Sequence, residues 1–169
     1  MMLNIPEGEM VYIDSSIWII HHSKDLSFKK ECTEFLRSVE LGKYRASIST
    51  LVVDEVTYIL LKQKASELLA EDRHYKILKE LKRDENLFSQ CWETAQLHVN
   101  YVLALKEKGV LRIITQMPDL ETFSATIDKY HLLPRNATHL SIIISLNIPN
   151  IVTTDADFDK VKEIKVWKP

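Results

Sequence analysis

Short apolar runs alternate with longer amphipathic segments along this chain. Five runs are predicted to be strands, at 10–13, 45–49, 110–115, 151–153 and 164–167, and the first has the apolar and β-branched pattern of a buried parallel strand. In the segments between them, apolar residues recur at the three- and four-residue spacing of helices. Strands that alternate with helices predict a three-layer α/β/α domain around a central, mostly parallel sheet of four to five strands.

Hydroxyl residues and a proline mark where three of the predicted helices begin. Ser15 or Ser16 is expected to cap the helix after the first strand, and Ser49 or Thr50 the helix after the second. Their side chains can accept hydrogen bonds from the free N–H groups of a first helical turn. Pro134 suits the first position of a later helix that runs to about residue 146, because its fixed φ is helical and its missing N–H is not needed there.

The segment from about 66 to 108 is charged and contains neither proline nor glycine. It predicts two helices with a break near 83–86, and we interpret it as a helical insertion in a single domain that spans residues 1–169. Its lysines, together with Arg73 and Arg83, most simply form a solvated helical face. Contacts to nucleic-acid phosphates are the alternative interpretation of the same residues.

Composition limits the classes of function. Lysine and arginine number 22 against 24 acidic residues, so any nucleic-acid surface must be a local patch. With three glycines, a glycine-rich phosphate loop is not predicted, which argues against nucleoside-triphosphate and dinucleotide sites. Cys32 and Cys91 lack metal-ligand spacing and are expected to be buried thiols in a reducing compartment. No apolar run is long enough to cross a bilayer, so we expect a cytoplasmic protein without membrane contact.

Acidic and amide side chains stand at the ends of the predicted strands. Asp14 ends the first strand and Asp155 the fourth, Glu55 lies about one and a half turns into a helix, and Asn136 is in the first turn of another. In an open parallel sheet, ligands bind outside the carboxyl ends of the strands. Clusters with only oxygen donors select Mg²⁺ or Mn²⁺, which most often serve phosphoryl chemistry. The sequence therefore predicts a divalent-cation site at this edge.

Each acid also has a purely structural interpretation. Asp14 could cap the helix that follows it, and Asp155 and Asp157 could be ordinary turn residues. Glu55 could be a solvated helix residue, with Asp54 beside it as the competing choice. Consecutive helix residues point about 100° apart, so Asp54 is expected to face elsewhere if Glu55 faces the cleft.

The amide and the histidines are open to similar alternatives. Asn136 is as consistent with an ordinary helix start as with a metal ligand. His139 lies one turn beyond it on a similar face, and a satisfied buried histidine is a better interpretation than a general base. His21 and His22 are expected at the surface or at a helix end.

Three segments, in this order and spacing, resemble the PIN-domain family of metal-dependent ribonucleases, and most closely its VapC-type toxins. They are VYIDSS at 11–16, STLVVDEV at 49–56 and TTDADF at 153–158, and the last is the most specific. The resemblance implies a PIN-like α/β fold and a Mg²⁺- or Mn²⁺-dependent endoribonuclease. It extends over most of the chain, except for the charged segment at 66–108.

The resemblance also assigns roles to individual residues. The residues expected to be catalytic are acids: Asp14, Glu55, Asp155 and Asp157. The expected metal ligands carry oxygen donors: Asp14, Glu55, Asn136 and Asp155. The supporting residues carry hydroxyl or imidazole groups: Ser16, Thr153 and His139. The resemblance further implies an RNA substrate, a homodimer and, for a toxin, an inhibiting antitoxin protein.

Asn136 departs from the family pattern, which has a third acid at this position. An amide oxygen can ligate Mg²⁺ but brings no charge, so cation affinity should be weaker. Two consequences stay open at this point: an active enzyme that favours one bound metal, or a catalytically silent module that binds RNA or protein. A nuclease that acts on flapped DNA ranks below both, because such enzymes usually have more acids.

Overall fold

The computed structural model describes residues 5–23 and 27–169, and its centre is a five-stranded sheet in which every neighbouring pair is parallel. The strand order is β3-β2-β1-β4-β5. The five predicted strands are confirmed: β1 (Met10–Ile13), β2 (Arg45–Ser49), β3 (Leu111–Ile114), β4 (Asn150–Val152) and β5 (Lys165–Trp167). The chain moves outward from β1 to β3 on one side and then crosses to β4 on the other side.

Helices flank the sheet, which confirms the three-layer α/β/α prediction. They are α1 (Ser15–His22), α2 (Lys29–Glu40), α3 (Thr50–Leu69), α4 (His74–Arg83), α5 (Glu85–Glu107), α6 (Leu120–Tyr130) and α7 (Pro134–Ser145), with a short 3₁₀ helix at Ala156–Lys160. Because crossovers between parallel strands are right-handed, α1 to α5 cover one face, and α6 and α7 cover the opposite one. The contacts agree, since α3 packs on α1 and α5, and α6 packs on α7.

The starts of the helices follow the sequence signals with one correction. The N-cap of α1 is Asp14 and not Ser15 or Ser16, because Asp14 keeps the extended backbone of the strand while Ser15 is already helical. Ser49 caps α3 by accepting a hydrogen bond from the backbone N–H of Val52, as predicted. Pro134 is the first residue of α7, also as predicted.

The charged segment forms α4, α5 and the end of α3. The break between α4 and α5 is at Asp84, inside the predicted interval, and its carboxylate caps α5 by accepting from the N–H of Leu87 at 3.0 Å. A small core of its own holds these helices to α3, and it consists of Ala65, Ile77, Leu87 and Cys91. Arg73 and Arg83 pair with neighbouring glutamates on the exposed side, as the solvated-face interpretation expects; phosphate contacts stay a prediction.

Apolar side chains from the sheet and from both helical layers form the main core. Cys32 and Cys91 are free and buried, as predicted. In the part of the chain that the structure describes, no helix combines the length and the apolarity needed to cross a membrane.

Candidate functional site

The strand order reverses between β1 and β4. The connection after β1 leads to β2 on one side of this pair, and the connection after β4 leads to β5 on the other side. Such a switch point opens a crevice at the carboxyl ends of the two strands. Asp14 directly follows β1 and Thr153 directly follows β4, and the backbone N–H of Asp14 donates to the carbonyl of Val152 at 3.0 Å. The two chain segments are therefore joined where the crevice begins.

Asp14 is almost buried in this crevice, with 5% of its surface exposed. Its Oδ2 atom accepts hydrogen bonds from the hydroxyls of Ser16 and Thr153, each at 2.7 Å. The N–H of Ser16 lies 3.4 Å from the same oxygen, so Asp14 also caps α1. The structural and the functional interpretation of Asp14 are thus compatible. Both hydroxyls predicted as supporting residues contact it.

Asn136 joins the two acids that follow β4. Its Nδ2 group donates to Asp155 Oδ2 at 2.8 Å and to Asp157 Oδ2 at 3.2 Å. Asp155 in turn caps the 3₁₀ helix, because its Oδ1 atom accepts from the N–H of Asp157 at 2.8 Å, and its own N–H donates to Thr153 Oγ1 at 2.9 Å. The turn interpretation of Asp155 therefore holds as well. We refer to Asp14, Asp155 and Asp157 as the rim acids.

Within residues 5–23 and 27–169, the hydrogen bonds to the rim acids come from neutral groups, which are hydroxyls, an amide and backbone N–H groups. No salt bridge in these ranges involves any of the three. Neighbouring carboxylates repel one another, and burying a carboxylate is costly unless it is paired or bound to a cation. Among the described residues, the rim thus has acidic side chains without a basic partner.

Glu55 is held differently. Its side chain is buried while that of Asp54 is exposed, so the two face different directions, as the helix geometry predicted. Its Oε2 atom lies 3.0 Å from His139 Nε2, and its Oε1 atom lies 3.8 Å from Arg135 Nη1. Burial raises the pKa of Glu55, but hydrogen bonds from His139 and Ser15 and the charge of Arg135 outweigh it. The net pKa is therefore below the ordinary value.

Two residues extend this arrangement into the sheet. The hydroxyl of Tyr12 lies 2.8 Å from His139 Nδ1 and 2.6 Å from Ser49 Oγ. His139 is 1% exposed and hydrogen-bonded at both ring nitrogens, so it is a satisfied buried histidine. The Glu55 network is the set formed by Ser49, Tyr12, His139, Glu55 and Arg135. Sequence reasoning did not include Tyr12 or Arg135; the one available signal was a tyrosine in an otherwise aliphatic strand.

The donors match a hard divalent cation in kind but are not gathered around one point. Among the described residues, no three His, Cys, Asp or Glu side chains come close enough to hold a metal ion. The amide of Asn136 stands between two of the rim acids, and Glu55 is engaged by basic groups. Within the described ranges, every hydrogen bond to Asp14 is made at Oδ2. Its other oxygen is free to bind a cation, so a divalent ion fits the rim chemically.

His21 and His22 end α1, but they are half-buried rather than at the surface. They meet His98 of α5, whose Nδ1 atom lies 3.1 Å from His22 Nε2. Burial lowers the pKa of His22 to about 4 and that of His98 to about 3. The sequence prediction missed this packing because α1 and α5 are separated by three helices and a strand. These histidines do not contact the rim.

The sequence matches the PIN domain family over residues 11–164, so the chain belongs to the PIN-domain family. The fold is shared with solved structures of low sequence identity. VapC20 of Mycobacterium tuberculosis, described as a sarcin-ricin loop cleaving toxin, is 13% identical with a TM-score of 0.56, and the alignment covers 93% of this chain and 98% of that one. A search of curated protein sequences finds no significant match.

Two further structures show the same fold. VapBC2 of Rickettsia felis, solved bound to a DNA fragment from its promoter, is 13% identical with a TM-score of 0.58 and coverage of 94% and 98%. PAE2754 of Pyrobaculum aerophilum is 16% identical with a TM-score of 0.53 and coverage of 94% and 89%. At these identities the likeness establishes the architecture of the chain, and the chemistry has to be argued from its own site.

Proposed function

We propose that this protein is a Mg²⁺- or Mn²⁺-dependent endoribonuclease of the PIN-domain type. The observation that supports the proposal most strongly is the rim, where three acids follow the two central strands at the switch point of the sheet and, among the described residues, have neutral hydrogen-bond partners. Carboxylates without a basic partner at a ligand-binding edge are suited to a divalent cation. Family membership over most of the chain supports the same chemistry.

Individual side chains have distinct tasks in this proposal. Asp14 and Asp155 would hold the cation, with the oxygens of Asn136 and Glu55 as further ligands. When bound, the ion would supply Lewis-acid stabilisation to the phosphate and make a water more acidic. Asp157 orients the attacking water. No side-chain nucleophile is needed.

Other groups position the acids and the substrate. The hydroxyls of Ser16 and Thr153 fix Asp14 through its Oδ2 atom. Arg135 is largely exposed beside Glu55 at the start of α7, where its guanidinium can contact a phosphate of the RNA backbone. It therefore supplies positive charge next to the acids without neutralising the rim.

The biological role that we propose is that of a toxin in a toxin–antitoxin pair. VapC20 is described as a sarcin-ricin loop cleaving toxin, and VapBC2 was solved bound to a DNA fragment from its promoter. By analogy, the partners are an RNA substrate, an antitoxin protein and a second copy of the chain. Expression of this chain alone should arrest growth, and co-expression of a protein encoded beside its gene should relieve the arrest.

A second candidate function is a catalytically weak or silent module that binds RNA or protein. Asn136 favours it, because the amide group donates hydrogen bonds to Asp155 and Asp157 where the family has a third acid. An amide donor can hold two acids together without a metal. In that case the rim acids keep the positions of a cation site but do not bind a cation.

Cleavage of a long labelled single-stranded RNA in Mn²⁺, in Mg²⁺ and in EDTA tests the two candidates. The wild type is compared with Asp14→Asn and Asn136→Asp, and Asp54→Asn serves as a matched control because it removes an exposed acid next to Glu55. Metal-dependent cleavage by wild type and Asp54→Asn, lost in Asp14→Asn, supports the nuclease. Cleavage by Asn136→Asp alone supports the binding module. A flapped DNA substrate in the same assay separates a DNA-acting enzyme from both.

A further inference from the structure

A line of buried hydrogen bonds runs from the start of α3 through the sheet to Glu55. Ser49 Oγ lies 2.6 Å from the hydroxyl of Tyr12, which lies 2.8 Å from His139 Nδ1, and His139 Nε2 lies 3.0 Å from Glu55 Oε2. The exposed fractions of the four residues are 1%, 0%, 1% and 7%. Buried polar side chains are costly unless they are satisfied, so a line of four needs a physical reason.

Counting donors and acceptors gives the end of the line a direction. The Glu55 carboxylate only accepts, so His139 donates to it from Nε2. The hydroxyl of Tyr12 is the partner of the other ring nitrogen, Nδ1, and it also bonds to Ser49 Oγ. Ser49 Oγ has a second lone pair for the N–H of Val52. Each buried polar group in the line therefore has a partner, and the line ends in a hydrogen bond donated to one oxygen of Glu55.

The line also connects both helical layers through the sheet. His139 belongs to α7 on one face, Glu55 belongs to α3 on the other face, and Tyr12 lies in β1 between them. Asp14 follows Tyr12 by two residues, and Asn136 precedes His139 by one helical turn. The hydrogen bonds thus fix the Glu55 carboxylate relative to the two elements that position Asp14 and Asn136.

We propose that Ser49, Tyr12 and His139 form a relay that positions Glu55 for cation binding by holding its Oε2 atom, so that Oε1, which lies 3.8 Å from Arg135 Nη1, is the oxygen that contacts the ion. The inference rests on the proposed function, since it assigns Glu55 a part in holding the ion. Tyr12 and His139 are positioning residues, because neither reaches the substrate. Hydrogen-bond partners of a metal-ligating side chain fix its orientation and tune its basicity, and their loss typically weakens metal affinity roughly 10- to 100-fold.

Mn²⁺ affinity, measured by electron paramagnetic resonance of free Mn²⁺, tests the relay independently of cleavage. His139→Leu, which has similar volume but no polar group, should weaken binding roughly 10- to 100-fold. His139→Gln retains an amide donor toward Glu55 and should restore most of the affinity. Tyr12→Phe should give a smaller loss in the same direction, and Tyr44→Phe, at the other edge of the sheet, should give none.

The same substitution in a Glu55→Gln background separates positioning from general damage. If His139 acts through Glu55, His139→Leu has no further effect on affinity once Glu55 is replaced. An equal loss in both backgrounds would show that His139 only supports the fold. Unchanged or tighter binding in His139→Leu would show that His139 is unconnected to the ion or competes with it; each of these results would overturn the relay.

Failure of the relay and failure of the proposed function give different results. If wild type binds no Mn²⁺ at millimolar concentration, the proposed function is wrong. The ring ¹⁵N spectrum of His139 in the metal-free protein still tests the relay in that case. A hydrogen-bonded proton on Nε2 is the expected state, and an unprotonated Nε2 would rule the relay out.

Discussion

The rim acids and the Glu55 network lie at the same edge of the sheet but solve the problem of buried charge in different ways. The rim acids accept hydrogen bonds from hydroxyl, amide and backbone groups. Glu55 has a basic side chain near each of its oxygens, His139 and Arg135. In the proposed function a cation therefore completes the rim, whereas Glu55 already has basic partners within the protein.

This difference predicts that substitutions of the rim acids mainly lower activity, whereas substitutions in the Glu55 network mainly lower the stability of the fold. Functional sites tend to hold groups whose arrangement is unfavourable until the ligand binds. Neutralising a rim acid should abolish function without weakening the metal-free fold. Disrupting the Glu55 network should weaken the fold, because a buried donor loses its acceptor.

The largest expected effect is that of Asp14→Asn on RNA cleavage. The substitution retains a helix cap and hydrogen-bond acceptor but removes the charge that holds the cation. We expect the rate to fall about a thousand-fold, which corresponds to about 4 kcal/mol. The assay is metal-dependent cleavage of labelled RNA, and Asp54→Asn should retain the wild-type rate. Wild-type activity in Asp14→Asn would remove this acid from the mechanism.

The second effect concerns the stability of the metal-free protein. Glu55→Leu leaves His139 Nε2 without an acceptor in a buried site and should lower the free energy of unfolding by about 2 kcal/mol. Asp14→Asn relieves repulsion among the rim acids and should leave this free energy unchanged or raise it by up to about 1 kcal/mol. Urea unfolding in EDTA measures both. Equal destabilisation by the two variants would erase the distinction between the regions.

Asn136→Asp should change stability in opposite directions without and with metal. In EDTA it replaces an amide donor by a third negative charge beside Asp155 and Asp157, and the unfolding free energy should fall by about 1 kcal/mol. With Mn²⁺ the added charge should tighten binding about tenfold, which is about 1.4 kcal/mol. Thermal unfolding in EDTA and in Mn²⁺ measures the decrease and the increase in stability. A lower unfolding temperature in both would show that the rim no longer accepts a cation.

The smallest expected effect is a change in the stability of the fold at acidic pH. Because the pKa of Glu55 lies below its ordinary value of 4.5 in the folded state, its contribution to stability is complete above about pH 4.5 and is lost as pH falls through the folded pKa. Glu55→Gln should therefore lose less stability than wild type below this pH. The lowered pKa values of His22 and His98 also make the fold lose stability, but from pH 6.5 downward.

Unfolding curves of wild type and Glu55→Gln, subtracted from each other at each pH, isolate the carboxylate. The contribution of the histidines is common to both proteins and cancels, because they do not contact Glu55. A difference that stays constant from pH 6 to pH 3 would mean that the basic partners do not lower the pKa of Glu55.

The elements and the general location of the site were predictable from sequence for a simple geometric reason. Asp14 and Asp155 each follow an apolar run closely, and the carboxyl ends of parallel strands meet at one edge of a sheet. The choice of Glu55 over Asp54 followed from the angle between consecutive helix residues. These features depend on local spacing and on topology, and both can be read along the chain.

The partners of the acids were not predictable in the same way. Tyr12 and His139 are 127 residues apart, and each on its own is as consistent with an ordinary core position as with a hydrogen-bonded relay. The contact between His22 and His98 depends similarly on how α1 and α5 pack. The direction in which the Asn136 amide points is set by the surrounding acceptors, and no spacing in the sequence encodes it. Long-range polar contacts of this kind need the three-dimensional arrangement.

Isothermal titration of Mn²⁺ into wild type, Asp14→Asn and Glu55→Gln tests the central claim most directly, namely that the rim acids hold the cation and Glu55 assists. The account predicts that Asp14→Asn weakens binding more than Glu55→Gln does, because Asp14 has no basic partner among the described residues. The opposite order would place the cation at Glu55, at the expense of its pairs with His139 and Arg135, and would contradict the account.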